Sequence, residues 1–344
     1  MKKFAVFSGF LGSGKTSTMM ALAHKGSKIA MITNDLGSKG LADDRLAKLN
    51  GCNAFEITGD CICYQNEKLM DMLDTLYADG FELVISDIPG FGVGALEHVY
   101  HGLSEKFPGS CELAPFTVLV EPCTVQRLRA GFDEDLLYIL DTQLLEADLI
   151  VLNKCDTIGA DEKAACESWL RENYPQADML SISAVSGENT DALYEALTKG
   201  CASMRRPDIG YGGEAFSKIM EQVCEYNLAY YAAVCCECFD GNAYLMALAE
   251  AVKAAVRAEK GQIPHMKILS WQPEGEYAKL DILGTERPVE LNHRFSLPCT
   301  ELAVLLNSSA FGAKDALDKA ITAAVERVSE EYQLELNIFK KELI

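Results

Sequence analysis

The sequence of 344 residues has no apolar run of about 20 residues, the length that a membrane-spanning helix needs. We therefore expect no transmembrane segment. The N-terminus has two lysines and a short apolar stretch, but glycines and another lysine follow where a signal peptide would have its cleavage site. These two absences predict a cytoplasmic protein without an export signal.

Basic residues are also in short supply, with 31 Lys and Arg against 51 Asp and Glu, which gives a formal net charge of −20. Such a surface repels phosphate backbones and anionic lipids, so we expect neither nucleic acid nor a membrane as a partner. Hydrophobic residues make up 49% of the chain, enough for a sizeable core, and the length predicts about two domains.

Cysteine, in contrast, is frequent, with 13 residues. Without an export signal these cysteines predict free thiols or metal ligands in a reducing compartment, not a disulfide framework. Cys61 and Cys63 are one residue apart, and Cys52 lies just upstream. This spacing alone leaves three interpretations open: a metal site, a redox pair, or structural thiols that share a loop.

Short apolar runs alternate with helical patterns over the first 200 residues. Leucine and methionine side chains fall on one helical face in 66–79, and leucines do so in 133–147. Runs of strand length occur at 4–8, 28–34, 81–87, 116–121, 148–153 and 179–183. Strands that alternate with helices imply crossover connections, so the predicted fold class is α/β, with a mainly parallel sheet covered by helices.

The pattern changes near residue 200. Residues 201–213 contain glycines, Pro207 and two arginines, and we interpret them as a linker between a domain at 1–200 and one at 214–344. The later patterns follow a β-α-β-β-α-β-like order, which indicates a smaller α+β domain of ferredoxin-like type with an extra strand. In this domain a strand is predicted at 229–239, and helices at 241–259 and 312–331.

The segment "GFLGSGKT", residues 9–16, fills every fixed position of the phosphate-binding pattern G-x-x-x-x-G-K-[ST]. It lies between a predicted strand and a predicted helix, where its glycines let backbone N–H groups surround phosphate oxygens. Lys15 places a cation on the terminal phosphates, and Thr16 offers a hydroxyl to Mg²⁺. The predicted nucleotide-binding residues here are Gly9, Gly12, Ser13, Gly14, Lys15, Thr16 and Ser17.

The segment "NKCD", Asn153 to Asp156, follows a predicted strand. A carboxylate at Asp156 can accept hydrogen bonds from the N1–H and the exocyclic amine of guanine, a donor pair that adenine lacks. Asn153, Lys154 and Asp156 therefore predict binding of a guanine nucleotide. Ser183 and Ala184, in the loop after the next strand, are predicted to contact the base from the other side, although an ordinary strand-to-helix loop has the same pattern.

Two further loops follow predicted strand ends. In "DIPG", Asp87 could hold Mg²⁺ directly or through water, and Gly90 could donate its N–H to the γ-phosphate. In "TNDLG", Asp35 could orient the attacking water or a water bound to magnesium. We therefore predict Lys15, Asp35 and Asp87 as catalytic residues, with Mg²⁺ at Thr16 and Asp87. Acidic residues that only cap loops are the alternative interpretation.

These motifs in this order resemble the CobW-like P-loop GTPases, which belong with the HypB and UreG metal-delivery GTPases. The matching segments are "GFLGSGKTS", "TNDLG", "DIPG", "NKCD" and "SAVSGENTDAL", and the resemblance covers residues 3–200. It implies a P-loop NTPase domain that slowly hydrolyses GTP to GDP and phosphate while handling a metal ion or metallocofactor for a client enzyme. No glutamine lies beside the switch glycine and no arginine finger is evident, so we expect low intrinsic turnover.

The same resemblance allows Cys61 and Cys63 to be compared with a cysteine motif of the family. The family carries a G-C-x-C-C motif between the first switch and the DxxG segment, whereas this sequence has Asp60-Cys61-Ile62-Cys63-Tyr64. Two thiolates remain, so a soft cation such as Zn²⁺ or Co²⁺ would need further ligands. Cys52, Asp60 or a client protein could supply them, and His98 and His101 are further candidates.

Three functional hypotheses follow. The first is a GTP-dependent metallochaperone that carries Zn²⁺, Co²⁺ or a similar ion on Cys61 and Cys63 to a metalloenzyme. The second is a GTP-driven conformational chaperone or regulator of a cofactor enzyme, for example a corrinoid enzyme, that carries no metal itself. The third is a nucleotide-sensing regulator with little turnover. Each of the three hypotheses is compatible with a homodimer.

Overall fold

The computed structural model describes residues 2–35, 42–131, 134–209, 213–234, 238–273 and 275–344, without the side chains of residues 35, 134–136 and 215. The described chain forms two compact units: residues 2–35 with Asn50–Ile219, and residues 42–49 with Met220–Ile344. The predicted domains at 1–200 and 214–344, with a linker at 201–213, stay a prediction. No helix in the described ranges is long and apolar enough to span a membrane.

An eight-stranded sheet, parallel in every strand pair, forms the centre of the first unit. Its strands are β1 (Lys3–Ser8), β2 (Ile29–Asp35), β3 (Ala54–Thr58), β4 (Leu83–Asp87), β5 (Glu112–Leu113), β6 (Thr117–Val120), β7 (Leu149–Leu152) and β8 (Asp178–Ser181). The order is β3-β2-β4-β1-β6-β7-β8, and β5 pairs with the start of β1. All residues of β1, β4, β6 and β7 are buried, which explains their mostly apolar sequences. The predicted α/β fold with a mainly parallel sheet is confirmed.

Helices lie between these strands in the chain. Up to Met220 they are α1 (Lys15–Ala23), α2 (Ala42–Leu49), α3 (Asn66–Ala78), α4 (Gly102–Lys106), α5 (Pro122–Ala130), α6 (Glu134–Glu146), α7 (Ala160–Asn173), α8 (Thr190–Lys199) and α9 (Glu214–Met220). The predicted helices at 66–79 and 133–147 are α3 and α6, and Leu69 and Leu144 bury their apolar faces in one core with Val6 of β1. A π-helix, Leu96–His101, runs directly into α4. Such helices are rare and are often found at functional sites.

The second unit contains an antiparallel sheet. Its elements are β9 (Val223–Ala233), α10 (Gly241–Ala258), β10 (Gln262–Trp271), β11 (Tyr277–Ile282), β12 (Glu290–His293), β13 (Glu301–Phe311), α11 (Lys314–Glu331) and β14 (Glu335–Leu343). In the strand order β12-β11-β10-β13-β9-β14, the part from β10 to β14 has the ferredoxin-like arrangement, and β11 and β12 extend one edge. The predicted smaller α+β domain is confirmed, with two extra strands instead of one.

Strand β9 does not have the predicted boundaries. The sequence predicts a strand at 229–239, but β9 spans Val223–Ala233. It pairs with β13 along its whole length, and β14 pairs with it on the other side. Because these partners lie far away in the sequence, the local pattern does not set where β9 begins. Residues 235–237 of the predicted strand lie outside the described residues.

Helix α2 belongs to the second unit although it lies between β2 and β3 in the sequence. The backbone N–H of Ala42 donates to Asn307 Oδ1 at 2.9 Å, and Asp43 forms an ion pair with Lys267. The guanidinium of Arg45 lies over the Trp271 ring, 4.6 Å from its centroid. These contacts pack α2 on β10 and β13, so the chain leaves the first unit after β2 and returns before β3.

Candidate nucleotide and thiol site

The phosphate-binding loop follows β1 with a backbone that requires glycine. Gly9 has φ +128°, and a Cβ there would come within 2.1 Å of the Leu119 carbonyl oxygen on β6. Gly14 has φ +91°, and a Cβ there would come within 2.3 Å of Asn153 Nδ2. Only glycine combines a positive φ with room for these close approaches. The loop therefore lies against the backbone of β6 and the side chain of Asn153.

The polar side chains of this loop lie at the N-terminus of α1. Lys15 Nζ donates to the Gly9 carbonyl oxygen at 2.7 Å, within its own loop. Thr16 is buried in the first turn of α1, where the helix presents its positive end. Among the described residues, the buried Ser13 hydroxyl has no hydrogen-bond partner. Gly12 has φ +80°, and Ser17 follows Thr16 in the helix. The loop thus presents an ammonium group, hydroxyl groups and a helix N-terminus, which are groups that bind phosphate.

Asn153 joins the phosphate loop to both loops predicted to bind the base. Its Nδ2 donates to the Ser13 carbonyl oxygen at 2.9 Å, and its Oδ1 accepts from the Ala184 N–H at 3.0 Å. Asn153 is 1% exposed, so both bonds are shielded from water. The sequence predicts these three loops to act together, and the structure places them together through one amide.

The other predicted base-binding residues surround Asn153. Lys154 adopts φ +63° and forms an ion pair of 2.7 Å with Glu121. Asp156 is exposed on a 3₁₀ turn, Cys155–Thr157, where a ligand can reach its carboxylate. The buried Ser183 hydroxyl accepts from the Ser186 N–H at 3.1 Å and shapes its loop. Their roles toward a base stay predictions.

Asp87 and Gly90 lie beside the phosphate loop. Asp87 is buried at the end of β4, opposite Phe7 in register, and its Oδ1 accepts from the Asn34 N–H at 3.1 Å. A Cβ on Gly90 would come within 2.9 Å of the Leu11 backbone nitrogen, so the DIPG loop touches the phosphate loop. Asp35 ends β2, which pairs with β4, but its side chain lies outside the described residues.

Two residues of α6, which the sequence does not single out, hold the segment that follows Asp87. Gln143 Nε2 donates to the carbonyl oxygens of Gly90 and Gly92, both at 2.9 Å. Glu146 accepts from the N–H groups of Gly94 and Leu96 at 2.9 and 3.1 Å. Burial raises the pKa of Glu146 to about 7, against the two hydrogen bonds that lower it. In the sequence, the position of Glu146 inside the largely apolar segment "LLEADLIVL" could have indicated a buried carboxyl group.

Cys61 and Cys63 meet on a tight turn after β3. The turn is a 3₁₀ helix, Ile62–Tyr64, with Cys61 as its N-cap. The segment is therefore not an extended one in which alternate side chains point to the same side. The two Sγ atoms are 2.9 Å apart. The pKa of Cys63 lies well above its usual value, because Cys61 shares a hydrogen bond with it and because it is buried. A metal ion would therefore displace a proton here.

The other candidate metal ligands do not gather around these two thiols. Cys52 lies before β3, at the other end of that strand, with its Sγ 3.5 Å from His24 Nε2. The His98 ring lies 6.0 Å from the ring of Tyr64, which is 63% exposed. His101 is buried, and its Nε2 is 3.3 Å from the Arg205 carbonyl oxygen.

The π-helix explains why the two histidines separate, since its i→i+5 bonding widens the turn on which an i, i+3 pair would share a face. Asp60 is exposed, and its Oδ1 accepts from the Cys61 N–H at 2.7 Å. Within the described part of the chain, no three His, Cys, Asp or Glu side chains form a metal-binding group.

Comparisons with known proteins identify a family for residues of the first unit. The family model described as CobW/HypB/UreG, nucleotide-binding domain, matches residues 3–181. The zinc chaperone YeiR of Escherichia coli is 29% identical over 180 residues, which are 50% of this chain and 52% of that protein. The zinc chaperone CobW of Pseudomonas aeruginosa is 24% identical over 212 residues, which are 53% of this chain and 56% of that protein. The chain thus spans about half the length of the curated relatives it matches.

Among solved structures, HypB from Helicobacter pylori in complex with nickel is similar with a TM-score of 0.42 and 17% identity. The match covers 57% of this chain and 86% of HypB. The family model is the stronger result, because it covers just over half of the chain and includes the phosphate loop, Asp87, the thiol pair and Asn153. The chain belongs to the CobW/HypB/UreG family.

Proposed function

We propose that the chain is a slow GTPase that works as a metallochaperone and handles a metal ion or metallocofactor for a client enzyme. One observation carries the proposal. The turn with Cys61 and Cys63 follows the carboxyl end of β3, and the phosphate loop follows the carboxyl end of β1 in the same parallel sheet. Both loops therefore lie at the same edge of the sheet, with the ends of β2 and β4 between them.

The residues at the phosphate loop fit GTP with Mg²⁺. The Thr16 hydroxyl and the Asp87 carboxylate are oxygen ligands of the kind that Mg²⁺ prefers. Asp87 ends β4, and Thr16 lies in the first turn of the helix that follows β1, the strand next to β4. Bound Mg²⁺ would neutralise charge on the phosphates. In the proposed GTP complex, Lys15 exchanges its bond to Gly9 for the terminal phosphates, Gly90 donates to the γ-phosphate, and Asp156 reads guanine.

Cys61 and Cys63 are the proposed ligands of the transported metal ion. Two thiolates suit Zn²⁺ or Co²⁺, and the two curated relatives named as zinc chaperones support zinc. A tetrahedral ion needs further ligands, and exposed Asp60 or a client protein would provide them. An incomplete shell suits delivery, because the ion can pass to the client without leaving four protein ligands at once. The client, a homodimer and the cytoplasmic location stay predictions.

A second function is favoured by one specific observation. Tyr64 stands where the family motif has a third cysteine, and its side chain is 63% exposed. The chain could therefore act as a GTP-driven conformational chaperone or regulator of a cofactor enzyme, such as a corrinoid enzyme, without carrying metal. In that case Tyr64 would be a contact for the client instead of a ligand.

Metal binding separates the two functions. Zn²⁺ and Co²⁺ affinities would be measured on reduced protein without nucleotide, with GDP, and with a non-hydrolysable GTP analogue, alongside phosphate release from GTP. The variants are Cys61→Ser and Cys63→Ser. Cys52→Ser is the matched control, because Cys52 is a nearby thiol at the other end of β3.

The metallochaperone predicts one tightly bound ion per chain, lost in Cys61→Ser and Cys63→Ser and kept in Cys52→Ser. No tight binding in any nucleotide state would reject it. Hydrolysis that a client stimulates without metal would then support the conformational chaperone. Phosphate release that Lys15→Ala does not reduce would reject GTPase activity at this loop.

A further inference from the structure

Asn34 bridges the predicted magnesium residue and the thiol turn. It lies in β2, is 1% exposed, and directly precedes Asp35. Its backbone N–H donates to Asp87 Oδ1 at 3.1 Å. Its side chain forms three hydrogen bonds to backbone groups, one with Ile57 in β3 and two with the residues on either side of Cys61.

The side-chain bonds of Asn34 surround Cys61. Nδ2 donates to the carbonyl oxygens of Ile57 and Asp60 at 3.1 and 3.0 Å. Oδ1 accepts from the Ile62 N–H at 2.8 Å. One amide thus fixes the residue before Cys61 and the residue after it. Since both Nδ2 protons and Oδ1 are used and the site is buried, Asn34 cannot move without breaking a shielded hydrogen bond.

Metal binding would alter the turn that Asn34 holds. Two thiolates on one tetrahedral Zn²⁺, each about 2.3 Å from the ion, lie about 3.8 Å apart. An ion bound by both Cys61 and Cys63 would replace the direct contact between their Sγ atoms with two metal–sulfur bonds, so the two side chains must rearrange. Cys61 carries this change to its neighbours Asp60 and Ile62, both bonded to Asn34.

We propose that Asn34 is the positioning residue that couples nucleotide state to metal affinity. This inference rests on the proposed metallochaperone function. In one direction, a change in the engagement of Asp87 by Mg²⁺ and GTP alters its bond with the Asn34 N–H and shifts the amide that holds the turn. In the other direction, rearrangement of the two thiols around an ion shifts the side-chain amide of Asn34 and thereby the bond from its backbone N–H to Asp87. Coupling of this kind is reciprocal, so each ligand changes the affinity of the other by the same factor.

The test compares Asn34→Ala with Thr33→Val. Thr33 is the preceding residue of β2, is 1% exposed, and donates from Oγ1 to the Phe55 carbonyl oxygen on β3 at 3.3 Å. Both variants remove a buried bond between β2 and the region of β3, but only the first removes the bonds around Cys61. Zn²⁺ affinity would be measured by competition with a chelator under saturating GDP or GTP analogue. Nucleotide affinity would be measured with and without Zn²⁺.

We expect the wild-type Zn²⁺ affinity to differ by about 5-fold or more between the two nucleotides, within the usual range for coupled sites. In Asn34→Ala this ratio falls to nearly one from both directions, while Zn²⁺ still binds without nucleotide. Thr33→Val keeps the wild-type ratio. A simple loss of structure would lower affinities without removing the ratio, so the ratio identifies coupling.

Three results overturn the inference. A wild-type ratio that Asn34→Ala retains rejects Asn34 as the coupling residue and leaves the proposed function intact. An equal loss in Thr33→Val shows that any bond between the two strands suffices. A wild type that binds no Zn²⁺ in any state rejects the proposed function together with the inference. If Asn34→Ala does not fold, hydrogen exchange at the Ile62 amide decides, because its protection must differ between GDP and GTP analogue in wild-type protein.

Discussion

Replacement of Asn153 by alanine would separate the phosphate loop from the two loops predicted to bind the base. The substitution leaves the Ser13 carbonyl oxygen and the Ala184 N–H without their side-chain partner. Each buried backbone group that loses its only partner costs about 1–3 kcal/mol. Because Ser13 is buried whereas Ala184 is half-buried and its N–H can bond to water, we expect a loss of about 1–3 kcal/mol in the free energy of unfolding of the first unit, mainly from Ser13. GDP affinity should fall as well, because the loops lose their common anchor.

The measurement is urea unfolding followed by tryptophan fluorescence. The chain has two tryptophans, and Trp169 is in the first unit whereas Trp271 is in the second. A Trp271→Phe background therefore reports on the first unit alone. Asn173→Ala is the control, since this exposed asparagine also donates to one carbonyl oxygen, that of Trp169, at 2.8 Å. We expect the control to change stability by less than about 0.5 kcal/mol.

Asn153→Asp refines the same prediction. It keeps an oxygen that accepts from the Ala184 N–H, but it places a second oxygen against the Ser13 carbonyl oxygen. We expect the Ser13 contact to be lost and the Ala184 contact to be kept. The reasoning is refuted if Asn153→Ala is as stable as Asn173→Ala and binds GDP as tightly as the wild type.

Two further predictions concern the base and the pH. Asp156→Asn replaces an acceptor pair with a side chain that can donate to the C2 carbonyl of xanthine, so nucleotide titrations should show weaker GTP and stronger xanthosine triphosphate binding. Weaker binding of both would place base recognition elsewhere. Because the pKa of Glu146 is raised to about 7, its ionisation in the folded state opposes folding: its contribution is fully present below the unfolded pKa of 4.5 and is lost as the pH rises to 7. Between pH 5 and 6.5, Glu146 should lower the free energy of unfolding of the wild type by about 1.4 kcal/mol per pH unit, and Glu146→Gln should remove this decrease. Equal pH slopes in the two proteins would show that Glu146 is ionised throughout.

The sequence predicts those parts of the fold in which local residues impose local geometry. The glycines of the phosphate loop are an example, because Gly9 and Gly14 need positive φ and close approaches that other residues cannot adopt. Strands β1, β4, β6 and β7 are also predicted, since strands buried on both faces need apolar residues at nearly every position. In both cases the physical requirement lies within a few consecutive residues.

The elements that the sequence does not predict depend on distant partners. Strand β3, "AFEIT", is short and half-buried, and it exists through its pairing with β2. Helix α2, "ADDRLAKL", is mostly polar, and its contacts are with β10 and β13, more than 200 positions further along the chain. No local pattern identifies such partners, because the pairing energy belongs to residues on both sides.

The π-helix has the same kind of cause. Glu146 accepts from the Leu96 N–H at its start, and Asn66 Nδ2 donates to the His98 carbonyl oxygen at 3.0 Å in its interior. The Asn66 side chain binds a carbonyl oxygen that a regular α-helix would use itself, whereas Glu146 caps an N–H that has no partner within the helix. His98 and His101 are three positions apart, a spacing that would put them on one face of an α-helix, but in this π-helix they have different neighbours, Tyr64 and the Arg205 carbonyl oxygen.

Asn34 and Asn153 illustrate why motifs locate a site more readily than they explain how its parts act together. Each shares a short motif with an aspartate, "TND" or "NKCD", and the aspartate has the evident chemistry. The amide, however, both donates and accepts, so one side chain can tie together two loops that meet only in the folded chain. Asn153 ties the phosphate loop to the base loops through its side chain, whereas Asn34 holds the thiol turn with its side chain and Asp87 with its backbone N–H. If the inference about Asn34 is correct, loss of this amide will uncouple metal from nucleotide while the neighbouring carboxylates and thiols keep their own affinities.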